Sequence, residues 1–460
     1  MINRSTDLAK RYLGEKLLNQ AIGYLEKDPE GNFIKTLDLA MKAPILSWHQ
    51  DYIVNIKSNF KQNPAIQQYI RRIFNEIDEN VRNHLLVNFF LNASLIGVPI
   101  QKRKSDEFGF NIPFTILIDP TSNCNLSCKG CWAGAYKKHD SLSLNEMNRL
   151  VSEAKELGIY FIVLSGGEPF MWPHLEELCR NHPDVAFMVY TNGTLIDENA
   201  AGWMRSAGNI SPAISIEGWR ETTDDRRGTG VFDKIIRGMG NLKAKGVPFG
   251  FSVTATRDNC EEISSEEFID FLIEKGAFYG WTFHYIPIGR NPDFSMRITP
   301  GQRAEMVYRI REIRKTKPIQ VVDFWNDGHL TGGCIAGGRR YFHITANGNV
   351  EPCAFVHFAV DTIYGKSLQD ILANPLFAAY QSRQPFSNNL LRPCPLIDVP
   401  DQLREIVTES GARPTHEGAD DILYGETARK MDKTAQAWKE EADRILNRVE
   451  GKLTREESQV

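Results

Sequence analysis

The spacing of apolar residues changes twice along the chain. In the first 110 residues apolar side chains recur at three-and-four spacing, for example over residues 38–48, 65–77 and 80–95, and prolines and an acidic turn separate these runs. That spacing predicts amphipathic helices with little strand. From Phe114 short, nearly continuous apolar runs alternate with amphipathic ones, and after Pro318 the segments become shorter and richer in glycine pairs.

Six short apolar runs predict the strands of one sheet. Because these runs are almost continuously apolar, both faces of each strand are expected to be covered, as in a parallel sheet behind helices. The predicted strands are Phe114–Pro120, Tyr160–Ser165, Ala186–Thr191, Ile210–Ile216, Phe249–Ala255 and Gly280–Ile286. Six strand–helix units predict the α/β fold class and a partial (β/α)6 TIM-like barrel, whose chemistry lies at the carboxyl ends of its strands.

Four regions follow from these patterns. We predict an N-terminal all-helical domain over residues 1–110 and the barrel over residues 111–317. A cysteine-containing extension is predicted over residues 318–400, and a C-terminal helical tail of mixed charge over residues 401–460.

Composition limits the class of protein without choosing the fold. With 460 residues, 42% of them hydrophobic, the chain is long enough for a barrel and at least one added domain. The net charge of −4 excludes an extended nucleic-acid surface. Eight cysteines are too few for a disulfide-stapled secreted scaffold, and residues 1–15 lack the apolar core of a signal peptide, so we expect a cytoplasmic protein.

One segment of the helical region is unusually apolar. Residues 84–100 are followed at once by the basic stretch Gln101–Lys104, yet they fall short of the ~20 apolar residues that a spanning helix needs. One interpretation is a helical cap or dimerisation domain. The alternative is an apolar helix with a basic flank that lies on a membrane surface or receives a lipid chain, which predicts peripheral membrane contact.

Three cysteines lie close together in the loop after the first predicted strand. Cys124, Cys128 and Cys131 have CxxxCxxC spacing, and their thiolates can hold three corners of an Fe–S cube while the fourth iron lacks a protein ligand. An open iron can bind and activate a substrate or cofactor. Zinc is the alternative, because short-spaced cysteines also form zinc sites; those sites usually have a fourth ligand, for which His139 is the local candidate.

This loop resembles the signature of the radical S-adenosylmethionine (SAM) superfamily, in which an aromatic residue, here Trp132, commonly follows the third cysteine. The resemblance continues at the next three strand ends, with SGGEP over 165–169, TNGT over 191–194 and SIEG over 215–218. It implies a SAM-binding 4Fe–4S cluster whose open iron is chelated by the amino and carboxylate groups of SAM. Reduction of that cluster would cleave SAM to methionine and a 5′-deoxyadenosyl radical.

The same resemblance implies which residues contact SAM. The glycines Gly166 and Gly167 would allow close backbone approach, and Glu168 would orient the methionine end. Ser215 would contact the ribose or carboxylate, and Asn192 the adenosine side.

The resemblance also implies an arginine that binds the SAM carboxylate. A guanidinium suits this role because it pairs with a carboxylate through two parallel hydrogen bonds. Arg227 would bind the SAM carboxylate, although Arg226 is adjacent and leaves the choice between the two open. The family usually has Asp where this chain has Glu217.

Two side chains at the end of the sixth predicted strand are candidates for the catalytic chemistry. His284 and Tyr285 are neighbours, so they should lie on opposite faces of the strand and only one should point into the barrel. Either is a candidate substrate-side acid or radical relay. The alternative is that both are merely packed or hydrogen-bonded.

The extension contains a second set of cysteines. Cys334 precedes a hairpin with an Asn-Gly turn that ends at Cys353, and Cys394 follows later. The arrangement resembles the SPASM or twitch extension of radical SAM enzymes, whose full form has seven cysteines and two clusters. Three cysteines imply one auxiliary 4Fe–4S cluster, with its fourth iron bound by solvent, substrate or another residue; His357 and Asp398 are nearby candidates. Structural zinc or plain buried thiols are the alternative.

Three hypotheses of function result. The first is a radical SAM oxidoreductase that works anaerobically with a flavodoxin- or ferredoxin-type electron donor and functionalises a C–H bond, as in peptide or protein modification. The second is the same chemistry on a lipid or membrane-associated substrate, for example carbon–carbon joining of acyl chains, which the apolar helical segment favours. The third is a non-catalytic Fe–S or zinc scaffold, and the intact SAM-contact motifs argue against it.

Overall fold

The computed structural model describes residues 2–41 and 47–457, and its centre is a parallel sheet. The strands are β1 Thr115–Ile118, β2 Phe161–Leu164, β3 Ala186–Thr191, β4 Ile210–Ser215, β5 Phe249–Ala255, β6 Ala277–His284, β7 Gln320–Asp323, β8 His343–Ile344, β9 Asn349–Glu351, β10 Phe358–Ala359, β11 Asp361–Thr362 and β12 Arg413–Pro414. Strands β1 to β6 lie side by side in chain order and are parallel, which confirms the predicted partial barrel.

Two further strands extend this sheet in parallel at its edges. Strand β7 pairs with β6, and β8 pairs with β1 through the register Leu117↔His343. The sheet then continues through antiparallel β9 and β11, to a total of ten strands. The predicted boundary after residue 317 therefore falls just before a strand that is hydrogen-bonded to the barrel.

The sixth strand was predicted three residues too late. Gly276 adopts φ 107° and caps the preceding helix, so the strand begins directly at Ala277 and ends at His284. The other five predicted strands are confirmed to within two residues at each end.

Helices cover the sheet and form the N-terminal and C-terminal regions. They are α1 Ile2–Lys27, α2 Pro29–Ala40, α3 Ser47–Gln62, α4 Pro64–Glu76, α5 Glu79–Leu86, α6 Val98–Phe108, α7 Leu144–Glu156, α8 Leu175–Asn181, α9 Glu198–Ala207, α10 Arg220–Arg227, α11 Val231–Lys245, α12 Cys260–Ile263, α13 Glu266–Lys275, α14 Pro300–Thr316, α15 Gly328–Thr331, α16 Leu368–Leu372, α17 Pro375–Gln381, α18 Pro400–Ser410 and α19 Gly425–Glu457. Short 3₁₀ helices span Trp132–Ala135, Pro169–Met171, Phe294–Met296 and Ala419–Ile422, and a π-helix spans Val87–Gly97. The predicted helix over residues 38–48 is wrong, because α2 ends at Ala40; residues 42–46 lie outside the described part.

The apolar segment of the N-terminal region forms a continuous helix, Glu79–Phe108, in which the π-helix joins α5 to α6. By length and composition alone this helix could cross a membrane. Its two asparagines are buried against the barrel: the Asn88 amide donates to Pro183 O at 2.8 Å, and the Asn92 amide to Asp184 O at 3.1 Å. These bonds fix one face of the helix on the loop before β3.

The C-terminal helix α19 packs across the outside of the barrel against α14. Trp438 is buried and donates from Nε1 to Leu391 O at 2.9 Å. The Arg303 guanidinium lies 4.1 Å from the Trp438 ring centre. The C-terminal helical tail is therefore anchored at the edge of the barrel that bears β7.

Candidate functional site

The interior of the barrel is a cavity of about 1250 Å3. At one end it is bounded by the cysteine loop at the carboxyl ends of the strands, and at the other by α4 and the helix over residues 79–108. Aromatic rings line its middle, among them Phe187, Tyr190, Trp281 and Phe283. Most residues predicted from sequence to act at the site line this one cavity: Cys124, Cys128, Cys131, Gly166, Gly167, Asn192, Ser215, Arg227, His284 and Tyr285.

The three thiols of the cysteine loop lie near one another. Burial is the main cause that raises the pKa of Cys124 to about 11, and the charges of Cys128 and Cys131 add to it. Gly130 allows the loop to fold tightly: its φ is 60°, and a Cβ there would come 2.5 Å from the Tyr285 ring. Three thiols that line one cavity fit the three-cysteine ligand set of a 4Fe–4S cluster, which would leave one iron without a protein ligand.

The GGEP turn is built around the start of the cysteine loop. A Cβ on Gly167 would lie 2.1 Å from Asn123 O, and one on Gly166 would lie 2.5 Å from Thr121 O. The Gly167 amide donates to Thr121 O at 2.9 Å, and the Glu168 amide to Asn123 O at 2.7 Å. The glycines are therefore required by the approach of two protein backbones, and contact with SAM stays a prediction.

Glu168 is buried, and its carboxylate faces the end of β3. It accepts from Thr191 Oγ1 and from the Asn192 amide, both at 2.7 Å. The Asn192 side chain in turn donates to Asn125 Oδ1 at 2.8 Å. Glu168 thus ties two motif-bearing loops together, and it is absent from the residues that line the cavity.

Two arginines converge on one buried carboxylate. Arg227 donates from Nε to Glu217 Oε1 at 2.8 Å, and Arg226 also reaches Oε1. Glu217 is fully buried. Burial alone would lower the pKa of Arg227, but the charge and hydrogen bonds of Glu217 together with the nearby thiolates of Cys128 and Cys131 raise it. The Nε of Arg226 is buried without a hydrogen-bond partner among the described residues, and Arg226 lines the cavity.

The expectation that only one of His284 and Tyr285 faces the barrel is wrong, because both line the cavity. Strand β6 ends at His284, so strand alternation no longer applies to Tyr285, whose hydroxyl accepts from the Asp293 amide at 3.0 Å. His284 Nε2 lies 3.7 Å from Asp323 Oδ1, and within the described chain neither atom has a hydrogen-bond partner. Burial raises the pKa of Asp323 to about 6, and burial lowers that of His284 well below its usual value.

The second cysteine set is also assembled by the fold. Burial raises the pKa of Cys334, Cys353 and Cys394 to about 12 each, and nearby thiolates contribute to every one of these shifts. Three mutually close thiols in an apolar setting fit an Fe–S cluster, whose iron would stabilise the thiolates that burial disfavours. Within the described residues, no three His, Cys, Asp or Glu side chains are grouped to bind a single metal ion.

The two nearby candidates for a fourth ligand are engaged elsewhere. His357 Nδ1 lies 2.7 Å from His416 Nε2, and its Nε2 lies 3.0 Å from Ala354 O. Asp398 pairs with Arg303 at 2.6 Å and accepts from the Cys394 amide at 3.1 Å.

A buried group that sequence reasoning missed lies between the two cysteine sets. The His343 imidazole lies 2.9 Å from Asp119 Oδ2 and 2.8 Å from Glu351 Oε2, and all three residues are buried. Tyr136 donates its hydroxyl to the same Glu351 at 2.8 Å. These residues belong to no recognisable motif. The one signal in the sequence that could have pointed to them is an Asp directly after the apolar run of β1.

Comparison with known proteins agrees with this geometry. The pattern of the radical SAM superfamily matches residues 118–271, and that of the SPASM iron–sulfur cluster-binding domain matches residues 334–395. The AdoMet-dependent heme synthase of Oleidesulfovibrio alaskensis is 30% identical over 273 residues, which are 52% of this chain and 69% of that protein.

Two further similar proteins have names that describe maturation or a precursor peptide, whereas the first is named a heme synthase. The mycofactocin maturase MftC of Mycolicibacterium smegmatis is 27% identical over 54% of this chain and 66% of its own. The crystal structure of Streptococcus suis SuiB bound to precursor peptide SuiA matches with a TM-score of 0.54 and 18% identity, covering 65% of this chain and 75% of that one. At that identity the SuiB likeness shows a shared fold.

Proposed function

The chain belongs to the radical SAM superfamily as an enzyme with a SPASM-type extension, and from that premise we propose that it abstracts hydrogen from a lipid chain held in the barrel cavity. The observation that carries the proposal is the cavity itself, about 1250 Å3 in volume, which connects the cysteine loop to the apolar N-terminal helices. An extended peptide needs hydrogen-bond partners for its backbone. A hydrocarbon chain needs only apolar contact, which these walls supply.

Cys124, Cys128 and Cys131 would hold a 4Fe–4S cluster, which would supply the one-electron chemistry that cleaves SAM to methionine and the 5′-deoxyadenosyl radical. Around it the protein excludes water from the reacting carbon with the rings of Tyr190 and Phe283. Burial lowers the pKa of His284 well below its usual value, so the imidazole that lines the cavity is neutral and adds no charge to it.

The far end of the cavity suits a membrane surface. Phe89 and Phe90 line the cavity and are 36% and 52% exposed, which makes an apolar mouth on the helix over residues 79–108. The exposed Lys102 and Arg103 follow on α6. Exposed apolar rings and basic side chains on one helix favour contact with anionic lipid headgroups, so we propose a cytoplasmic protein that is peripheral at the membrane.

Flotation with anionic phospholipid vesicles tests this proposal. We expect the reconstituted protein to float with the vesicles and a Phe89→Ser, Phe90→Ser variant to remain behind. Tyr308→Ser is the matched control, because Tyr308 on α14 is 44% exposed and does not line the cavity. Equal flotation of both variants, or no flotation of the parent protein, would contradict the lipid proposal.

Peptide modification is the second candidate, favoured by the relatives. The name of MftC and the SuiB complex with its precursor peptide describe action on or binding of peptides by those proteins. We propose a flavodoxin- or ferredoxin-type electron donor for either substrate class. Extraction of the purified protein followed by mass spectrometry separates them: bound phospholipid favours the first, and a bound peptide the second.

A further inference from the structure

The charged side chains that line the barrel cavity all carry the same sign. They are Arg82, Arg226, Arg227 and Arg340, and among the described residues no Asp or Glu lines this cavity. Apolar walls have a low dielectric constant, so the field of an unpaired arginine is weakly screened between them. The lining therefore favours a negatively charged ligand over a neutral or cationic one.

Three of these arginines already have a carboxylate partner. Arg226 and Arg227 share the carboxylate of Glu217, and the carboxylate of SAM is expected to take up their remaining positive charge. Arg82 on α5 pairs with Glu26. These three side chains therefore add little to the attraction of a further anion.

Arg340 is the member of this set that has no partner in the described chain. Its side chain is exposed, and its guanidinium makes no hydrogen bond or ion pair there. The adjacent Arg339 differs, because it donates to Cys334 O at 2.8 Å and to Thr331 O at 3.0 Å. A guanidinium whose N–H donors are free can bind a carboxylate or a phosphate through two parallel hydrogen bonds.

Arg340 lies beside the mouth of the cavity and not beside the cysteine loop. Its carbonyl accepts from the amides of Phe114 and Thr115, at 2.9 and 3.1 Å, where β1 starts, whereas the cysteine loop follows the end of β1. The Phe114 ring centre lies 6.1 Å from that of Phe89, one of the apolar rings of the mouth. A strand of this length separates the two ends of β1 by about 10 Å.

We propose that the substrate is an amphiphile with an anionic head, a carboxylate or a phosphate, and that Arg340 binds this head while the hydrocarbon chain extends toward the cysteine loop. This inference rests on the proposed lipid function and narrows its substrate class. Apolar walls bind a hydrocarbon chain without selecting its head, so the free guanidinium sets the specificity. The carbon that loses hydrogen then lies within the chain and not next to the head.

Calorimetric titration with probes of equal chain length tests the inference. The probes are decanoate, decyl phosphate, decanol and decyltrimethylammonium. The full chain is reconstituted with its clusters and titrated with saturating SAM and no reductant, so that Arg226 and Arg227 are occupied. We expect at least one of the two anions to bind tenfold or more tightly than decanol, about the value of a charge-assisted hydrogen bond, and the cation to bind no better than decanol. Stronger binding of decanoate indicates a free fatty acid, and stronger binding of decyl phosphate indicates a phospholipid.

Arg340→Met should abolish the advantage of the anion and leave the affinity for decanol unchanged, because it keeps the aliphatic stem and the backbone bonds to β1. Arg413→Met is the matched control, since Arg413 on β12 is also exposed and does not line the cavity. An anion advantage that persists in Arg340→Met, or that is absent from the parent protein while decanol binds, would overturn this inference and leave the lipid proposal intact. Failure of decanol and of both anions to bind would instead refute the lipid proposal itself.

Discussion

The imidazole Nε2 of His343 lies 2.9 Å from the carboxylate of Asp119, and both side chains are almost wholly buried. Asp119 directly follows β1 beside the cysteine loop, whereas His343 begins β8 in the extension. Burial by itself would lower the pKa of His343, but Asp119 and Glu351 outweigh it and raise the pKa to about 10. A buried imidazolium therefore joins the two parts of the chain that carry the cysteine sets.

This ion pair predicts a pH dependence of stability. The folded pKa of His343 is above its ordinary value of 6.5, so its contribution is fully present below about pH 6.5 and is lost as the pH rises toward about 10. At neutral pH, His343→Gln should lower the free energy of unfolding by about 3–5 kcal/mol, because it leaves two buried carboxylates without a cation. Urea unfolding at neutral pH and near pH 10 checks this: a difference between the two proteins that does not shrink with rising pH would contradict it.

The cysteine sets should be separable by metal analysis. Cys124→Ala, Cys128→Ala and Cys131→Ala together should abolish reductive SAM cleavage and reduce iron from about eight to about four per chain. Cys334→Ala should lose about four irons but keep SAM binding, because its site is separate. Iron, sulfide and 5′-deoxyadenosine assays test both expectations, and undiminished 5′-deoxyadenosine from the triple variant would refute the assignment of the first set.

The choice between the two arginines can now be made experimentally. Arg227 uses Nε and one terminal nitrogen on Glu217, whereas Arg226 keeps Nε unpaired among the described residues. We expect Arg226→Gln to weaken SAM binding about tenfold to a hundredfold, the value of a charge-assisted hydrogen bond, and more than Arg227→Gln does. Equilibrium dialysis with SAM measures this, and the reverse order would restore the sequence-based choice of Arg227.

Gly167 should be intolerant of a side chain. A Cβ at this position would lie 2.1 Å from Asn123 O, so Gly167→Ala must displace the start of the cysteine loop and lower the iron bound there. Gly202→Ala is the control: it lies in α9 with nothing within 4 Å of the added carbon, and it should stabilise the protein by about 0.5–1 kcal/mol. Normal iron content in Gly167→Ala would mean that the loop tolerates the shift.

Local patterns were sufficient to predict the barrel and one end of its site. Apolar runs located β1 to β6, and residues at their carboxyl ends, such as Ser215 and Asn192, meet in one cavity because parallel strands end on the same side. The likeness of the motifs to a known family supplied the expected ligands.

Long-range pairings could not be predicted in this way. The pairing of β8 with β1 brings together His343, Asp119 and Glu351. The spacing of apolar residues in the sequence does not predict that pairing. The shared cavity position of His284 and Tyr285 depends on where a strand stops, which is the least predictable property of an element.

The pairing of β8 with β1 makes the extension part of the barrel's edge. A protein shortened before residue 334 would expose the hydrogen-bonding groups of β1 to solvent, an edge open to pairing with other chains. Catalytic domains of this architecture, cut at the boundary that their motifs suggest, should therefore aggregate. By pairing with β1, the extension covers the open edge of the sheet, and this structural role does not depend on the redox role of its cluster.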